Sequence, residues 1–215
     1  MAATQRRQQR AQAVNGLKRG LILDAARQVF EAEGLDGASL RAIAAAAGYT
    51  PAALYFHFAS KEAIYAEVLQ GSLGRLRGAV GEAVAAASEP AMRLRAAAMA
   101  FFGYYADNPG DLDLGFHLFR GGMKPRGLGR ERDEALNAGL AAALGPVAAA
   151  AEALGASRGE ARLLVVDVFA HAAGLLLLAH AGRIRMFGAA APALMARYVD
   201  ERIGLLQGGA RHAGH

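Results

Sequence analysis

Apolar residues recur at helical spacing along most of this 215-residue chain. The first such stripe covers residues 21–30 and stops at Gly34, which predicts a helix ending there. Further helices are predicted at residues 40–47, 51–58, 60–87, 90–106, 111–120, 131–154, 158–187 and 191–207. Because no stretch alternates apolar and polar residues in the manner of a strand, and no internal repeat is visible, the sequence predicts an all-α fold of about nine helices.

The second and third predicted helices are short and are separated by Gly48. Ser39 is a suitable N-cap for the first of them, and Thr50 followed by Pro51 is a cap and first-turn signal for the second. Ala44 is small enough to let the two helices cross closely. This pattern is typical of a helix-turn-helix, whose second helix can lie in the major groove of DNA. An ordinary packed pair of helices shows the same features, so the pattern alone leaves both interpretations open.

Positive charge is concentrated near the N-terminus. The net charge is +5, and residues 1–61 hold eight Lys and Arg against four acidic residues, a net +4. A basic segment on a nearly neutral body is expected of a protein that binds a polyanion. A solvated basic tail is the alternative explanation for the five basic residues that precede Leu21.

Residues 55–61, at the end of the third predicted helix and just beyond it, are unusual for a purely structural segment. Tyr55 and Phe56 are expected on its outward face, with His57 at its end, whereas Phe58 is expected in the core. Lys61 lies at the start of the next helix, where its charge opposes the helix dipole. A bound phosphate at that helix end would reverse the sign of this effect. The cluster therefore favours a nucleic-acid interface.

The stretch VFEAEGLDGASLRAIAAAAGYTPAALYFHFASKEAIYAEVL closely resembles the DNA-binding signature of tetracycline-repressor (TetR) family regulators. The resemblance covers about forty residues, and the rest of the chain agrees only in length and helical character. It implies a helix-turn-helix DNA-binding domain at residues 18–64, after a flexible basic arm at residues 1–17. It also implies an effector-binding and dimerisation domain at residues 65–207, followed by a disordered tail at residues 208–215.

The resemblance gives nine positions a role at double-stranded operator DNA. Arg41 corresponds to a side chain that can reach a guanine, a contact that discriminates between bases by about 1–3 kcal/mol. The resemblance implies phosphate contacts at Ser39 and Thr50. It implies that the turn facing the bases is formed by Pro51, Ala52 and Ala53. It also implies that the DNA backbone is held by Tyr55, His57 and Lys61. Alanine at both positions 52 and 53 departs from the polar residues of some family members and leaves few hydrogen bonds to bases.

Six of the fifteen aromatic residues lie between positions 101 and 119. Family members bind a small effector between the middle helices, so the resemblance implies a pocket in this part of the chain. Its candidate lining residues are Phe101, Tyr104, Tyr105, Phe116, His117, Phe119, Phe169 and His171. Ordinary core packing is the alternative for each of them. The histidines lack the spacing of a zinc site and no cysteine assists them, so we expect no metal and no cofactor.

Residues 163–180 are apolar nearly all round. Asp167 and His171 within this segment are costly in lipid, which favours burial in a core or a subunit interface over a membrane span. The resemblance implies a homodimer formed by the last two long helices. The final helix adds an apolar stripe, at Leu194, Tyr198, Ile203 and Leu206.

Cysteine is absent, which excludes disulfides and thiolate chemistry and fits a reducing cytoplasm. No secretory signal, nucleophile elbow, phosphate-binding glycine loop or paired-carboxylate motif is visible, so an enzyme is not predicted. We therefore expect a cytoplasmic, ligand-responsive repressor that a small-molecule effector releases from a near-palindromic operator. The alternative is a DNA-binding regulator of the same fold without a small-molecule effector.

Overall fold

The computed structural model describes residues 2–117 and 128–212. These residues form nine α-helices and one 3-10 turn, with no strand among them. The helices are α1 (Ala2–Gly37), α2 (Leu40–Ala46), α3 (Pro51–Tyr55), α4 (Lys61–Ala85), α5 (Pro90–Asp107), α6 (Pro109–His117), α7 (Arg130–Ala153), α8 (Arg158–His180) and α9 (Ala191–His212), with the 3-10 turn at Arg185–Phe187. The predicted all-α fold is confirmed.

The chain divides into two compact units. Unit 1 comprises Met1–Gly71 and Asp113–Leu136, and unit 2 comprises Ser72–Leu112 and Asn137–His215. This division differs from the predicted boundary after residue 64. The first turns of α4 belong to unit 1 because their apolar residues at helical spacing, among them Ile64 and Tyr65, are buried there.

Helix α1 begins well before its predicted start. Residues 2–17 were expected to form a flexible arm, but the structure continues the helix through them. Gln, Arg and Ala predominate in this stretch and are good helix formers, which explains the extension. The side chains described there are exposed. At the other end of the chain, α9 likewise extends to His212, into the predicted disordered tail.

The core of unit 1 joins α1, α2, α3 and α4. Gly34 has φ 69° and ψ 177° and breaks the helical geometry of α1 where the sequence predicted its end. The ring of Phe30 meets that of Tyr65 edge to face, with centroids 4.8 Å apart. Ile43, Ala44 and Leu54 from the two short helices are also fully buried or nearly so. These contacts hold the short helices against α1.

The core of unit 2 is built mainly from α5, α8 and α9, which pack against one another. Leu94 and Phe101 of α5, Val168 of α8, and Met195 and Val199 of α9 are all buried in it. Helix α9 packs along α5, and its predicted stripe of Leu194, Tyr198, Ile203 and Leu206 is half-buried. Unit 2 therefore has an apolar core of its own.

Two helices, α7 and α8, are long and apolar enough to cross a membrane by length and composition alone, a test that core helices of soluble proteins also pass. Helix α8 packs one side against α5 and α9. Its other side leaves Leu163, Val166, Leu177 and Leu178 exposed. The helix was expected to be buried, and within the single chain only the side that packs against α5 and α9 is buried.

The positive φ in the turn between α2 and α3 predicts backbone strain for any residue other than glycine, and this can be tested. Gly48 has φ +72°, and a Cβ atom there would meet nothing within 4 Å, so only backbone strain opposes a side chain. We expect Gly48→Ala to lower the free energy of unfolding by about 1 kcal/mol. Gly74→Ala, in the open middle of α4, is the control and should raise it by about 0.5–1 kcal/mol. Denaturant unfolding of both variants measures these changes, and equal stabilities would contradict the strained turn.

Candidate nucleic-acid interface

The two short helices are capped as the sequence predicts. The Ser39 hydroxyl oxygen accepts a hydrogen bond from the Ala42 amide at 3.1 Å. The Thr50 hydroxyl oxygen accepts one from the Ala53 amide at 3.2 Å. Both side chains are exposed. Since each cap uses only a lone pair, the hydroxyl hydrogen remains available for donation to a phosphate outside the protein.

The turn between these helices fixes their crossing. The amide of Tyr49 donates to the carbonyl oxygen of Ala44 at 2.8 Å, and the Ala44 side chain is fully buried. A larger residue than alanine at position 44 would separate the two helices. The turn therefore sets the angle at which α3 leaves α2, and with it the direction of the α3 side chains.

Most of the predicted DNA contacts of the helix-turn-helix are exposed to solvent. Tyr55 and Phe56 are 61% and 88% exposed, whereas Leu54 and Phe58 are buried. The remaining predicted contacts in this segment are exposed at Arg41, Pro51 and Ala52 and half-buried at Ala53 and His57. So large an aromatic surface in water is costly, and a partner that covers it would remove that cost.

Lys61 has a contact that the sequence did not predict. Its Nζ atom donates to the carbonyl oxygen of Ala38 at 2.8 Å. The lysine therefore ties the start of α4 to the residue before Ser39. Its neighbour Glu62 has a lowered pKa, first because its own backbone amide hydrogen-bonds the carboxylate and second because the Ser60 hydroxyl does. Because an ammonium group has three donors, the Ala38 bond leaves capacity for a phosphate as well.

Arg19 is a residue whose role sequence reasoning missed, since it was counted only among the five basic residues that precede Leu21. Its Nη1 atom donates to the carbonyl oxygen of His57 at 2.6 Å. Its Nε atom donates to Glu67 at 3.1 Å, and its Nη2 atom contacts the same carboxylate. The guanidinium carbon lies 4.1 Å from the centre of the Phe58 ring. The partners are 38 and 48 residues away in sequence, so no local pattern could have found them.

The candidate effector residues of unit 2 form an aromatic cluster. The ring of Phe101 meets Tyr105 at 5.3 Å and Phe169 at 5.9 Å, and Tyr104 meets Tyr105 at 5.4 Å, all edge to face. Such contacts are also what core packing produces, the alternative that the sequence left open. The side chains of Phe116 and His117, and the whole of Phe119, lie outside the described residues.

A buried polar group adjoins this cluster. The Asp111 carboxylate is buried and accepts hydrogen bonds from the Tyr104 hydroxyl and, at 3.1 and 3.3 Å, from Nη2 of Arg75. The Tyr104 hydroxyl also lies 3.3 Å from the carbonyl oxygen of Ser72. Burial, followed by the bond to Asp111, raises the pKa of Tyr104. Tyr104 is therefore neutral near pH 7, and it links α5 to α6 by donating to Asp111 and to α4 by accepting from Arg75.

His171 of α8 stacks on Tyr198 of α9, with ring centroids 3.9 Å apart and an interplanar angle of 15°. The Arg202 guanidinium lies over the same tyrosine at 5.1 Å. His171 Nε2 is buried without a hydrogen-bond partner among the described residues. Burial, and then the charges of Arg197 and Arg202, lower the pKa of His171. The histidine is thus a neutral stacking partner between the two helices.

Comparison with known proteins agrees with this geometry. Residues 22–68 match the family described as "Bacterial regulatory proteins, tetR family". The transcriptional activator FasR of Mycolicibacterium smegmatis is 39% identical over 87 residues, which cover 40% of each chain. The transcriptional repressor KstR2 of Mycobacterium tuberculosis is 38% identical over 85 residues, 40% of this chain and 42% of that protein. These matches thus span about two fifths of the curated relatives.

Similarity to solved structures extends further along the chain. FadR of Bacillus subtilis, solved in complex with stearoyl-CoA, matches with a TM-score of 0.64 at 18% sequence identity. The match covers 88% of this chain and 97% of that one. A Rhodococcus sp. RHA1 protein of unknown function has a TM-score of 0.69 at 26% identity, with 86% of this chain and 93% of that one covered. The resemblance of residues 22–68 to the tetR family of bacterial regulatory proteins is thus confirmed. The chain's homologues are transcriptional regulators and not enzymes.

The stacked histidine gives a pH-dependent prediction. Because the pKa of His171 is lower in the folded protein than its ordinary value of 6.5, the unfolded chain binds more protons as the solution becomes acidic. The stability that this histidine contributes is complete above pH 6.5 and declines as the pH falls toward the lowered value. We expect His171→Gln to flatten the fall of the unfolding free energy between about pH 7 and pH 5.

The control is His180→Gln, an exposed position of the same helix, which should keep the wild-type slope. Chemical unfolding at a series of pH values measures both variants. A full slope in His171→Gln would assign the acid sensitivity to other groups.

Proposed function

We propose that this protein is a dimeric, cytoplasmic transcriptional repressor that a small-molecule effector releases from its operator. The observation that carries the proposal is the solvent exposure, along one helix-turn-helix segment, of two capping residues, an arginine and two aromatic rings. These residues belong to the part of the chain that holds most of the net positive charge. Phosphates and base edges are the partners that such a combination fits.

The nine predicted residues divide by what they offer to DNA. Ser39 and Thr50 offer hydroxyl hydrogens to phosphates, and Arg41 offers a bidentate donor to guanine. The turn formed by Pro51, Ala52 and Ala53 offers small apolar groups to thymine methyls, and Tyr55, His57 and Lys61 offer donors to the backbone. Binding of this kind over a promoter is sufficient to repress, because it excludes polymerase without any further surface. Relatives include an activator as well as repressors, so the direction of control belongs to the proposal.

A second copy of the chain is the proposed partner for α8. Its exposed apolar residues recur at helical spacing, at Leu163, Val166, Leu177 and Leu178. Ala170 and Gly174 lie between them on the same exposed side and are small enough for close helix contact. A twofold axis would bring this stripe against its own copy, joined by α9. The resulting dimer would present two recognition helices to a near-palindromic site.

Unit 2 is the proposed effector domain. Its aromatic cluster of Phe101, Tyr104, Tyr105 and Phe169 supplies apolar surface, and His171 and the Asp111 group supply polar atoms. FadR of Bacillus subtilis is described with stearoyl-CoA, so acyl-CoA thioesters are sensible first compounds to test. Helix α4 is continuous from the DNA-binding unit into unit 2. It can therefore carry a displacement from one to the other.

Arg41 tests the proposed base reading. We expect Arg41→Ala to reduce discrimination at one symmetric pair of operator positions by about 1–3 kcal/mol and to leave the other positions unchanged. Selection of binding sites from random DNA with wild type and variant measures this, and the wild-type site should be near-palindromic. Arg162→Ala, an exposed arginine on α8, is the control. An unchanged motif for Arg41→Ala would make Arg41 a phosphate or surface residue.

The proposed release by effector is tested by linkage. A thermal-shift screen that starts with acyl-CoA thioesters should identify a ligand, and calorimetry then measures its affinity with and without the selected operator. We expect operator to weaken ligand binding by about 5–150-fold, the range of ordinary allosteric coupling. By reciprocity, the ligand must weaken operator binding by the same factor. A ligand affinity indifferent to operator would favour the regulator without a small-molecule effector.

A further inference from the structure

Arg19 joins three places that are distant in sequence. It binds the carbonyl oxygen of His57 at 2.6 Å and the carboxylate of Glu67, and its guanidinium lies over the Phe58 ring. His57 and Phe58 follow directly after α3, next to the exposed Tyr55 and Phe56. Glu67 lies in the second turn of α4. A single side chain therefore connects α1, the end of the proposed DNA-contacting segment, and α4.

We propose that Arg19 is a positioning residue for DNA binding and that Glu67 orients it. Arg19 fixes the backbone at His57 and thereby the direction of Tyr55 and His57. Because Glu67 is part of α4, a shift of α4 changes the Arg19 position and is felt at the DNA-contacting segment. This inference rests on the proposed function, to which it adds the route by which α4 alters DNA binding.

The small free energy expected from the Arg19–Glu67 ion pair favours a positioning role for Arg19 over a role in stabilising the fold. The Arg19 and Glu67 side chains are 37% and 32% exposed, and ion pairs of such exposure contribute little to stability. The geometry nevertheless requires arginine, because only a planar guanidinium can serve a carbonyl and a carboxylate at once while lying on an aromatic ring. Lysine would keep the charge, but its three donors share one nitrogen at the end of a flexible stem. The contacts of Arg19 therefore depend on the shape of the guanidinium group and not on its charge alone.

The test uses Arg19→Lys and Glu67→Gln in the full chain. The control pair is Arg27→Lys and Glu31→Gln, because Arg27 and Glu31 form another α1 ion pair, at 2.8 Å, with side chains 31% and 35% exposed. The first measurement is amide hydrogen exchange without DNA. The amides of His57 and Phe58 both donate to the carbonyl of Leu54 and report on this segment directly. We expect their exchange to be about tenfold faster in Arg19→Lys and Glu67→Gln, and unchanged in the control variants.

The second measurement is affinity for the selected operator and for a scrambled duplex of equal length. Since Arg19→Lys keeps the charge, it should weaken operator binding about tenfold and change scrambled-duplex binding less than about twofold. The double variant Arg19→Lys/Glu67→Gln should bind operator no more weakly than Arg19→Lys alone, because both changes disrupt one unit. Glu67→Gln alone should lose operator affinity in the same direction.

Three outcomes would overturn the inference. Unchanged exchange at His57 and Phe58 in Arg19→Lys would show that Arg19 does not hold the segment. Full retention of operator affinity would make Arg19 a simple point charge. Equal losses for both duplexes, together with a lower melting temperature, would make its role merely structural. If the wild-type protein selects no sequence at all, the proposed function fails, and the exchange measurement alone decides whether Arg19 positions the segment.

Discussion

The hydroxyl group of Tyr65 donates a hydrogen bond to the carbonyl oxygen of Leu114 at 2.5 Å, and its ring meets Phe30 edge to face. The side chain is fully buried. A buried hydroxyl left without a partner costs about 1–3 kcal/mol, and the Leu114 carbonyl of α6 is one partner that offsets this cost. The contact joins α6 to the core around α1 and α4, and Asp113–Leu136 belongs to the same compact unit as the helix-turn-helix.

The same two helices, α4 and α6, are joined again in unit 2, where Arg75 and Tyr104 hold the buried Asp111 carboxylate. Removing one partner of a buried ion pair costs about 3–5 kcal/mol because the remaining charge is left uncompensated. That exceeds the 1–3 kcal/mol of a typical allosteric coupling, even after allowance for the partial exposure of Arg75. In the proposed mechanism, an effector would therefore leave the Arg75–Asp111 contact intact.

Local features of this chain could be predicted from sequence, and distant contacts could not. The caps at Ser39 and Thr50 and the turn at Gly48 depend on neighbours within four residues, and each appears where the pattern places it. The contacts of Arg19 with His57 and of Tyr65 with Leu114 join residues 38 and 49 positions apart, for which one sequence carries no signal. Helical residues 2–17 were missed for another reason: a polar helix-forming stretch without an apolar stripe looks the same whether helical or disordered. Most of the predicted DNA contacts are exposed, and their roles stay predictions that follow from the family resemblance.

The charge of the N-terminal segment and the reading of bases make separate contributions in the proposed complex. Arg6, Arg7 and Arg10 lie exposed on α1, and lysines or arginines near phosphates raise affinity for any sequence. Arg19 adds little to this sequence-independent affinity because Glu67 pairs with its charge. Discrimination must then come from the α2–α3 face, where Ala52 and Ala53 can contact methyl groups but form no side-chain hydrogen bonds. With few base-specific donors, specificity depends on Arg41 and on how closely the face fits the groove. A regulator of this composition gains more from a fixed His57 backbone than from an additional positive charge.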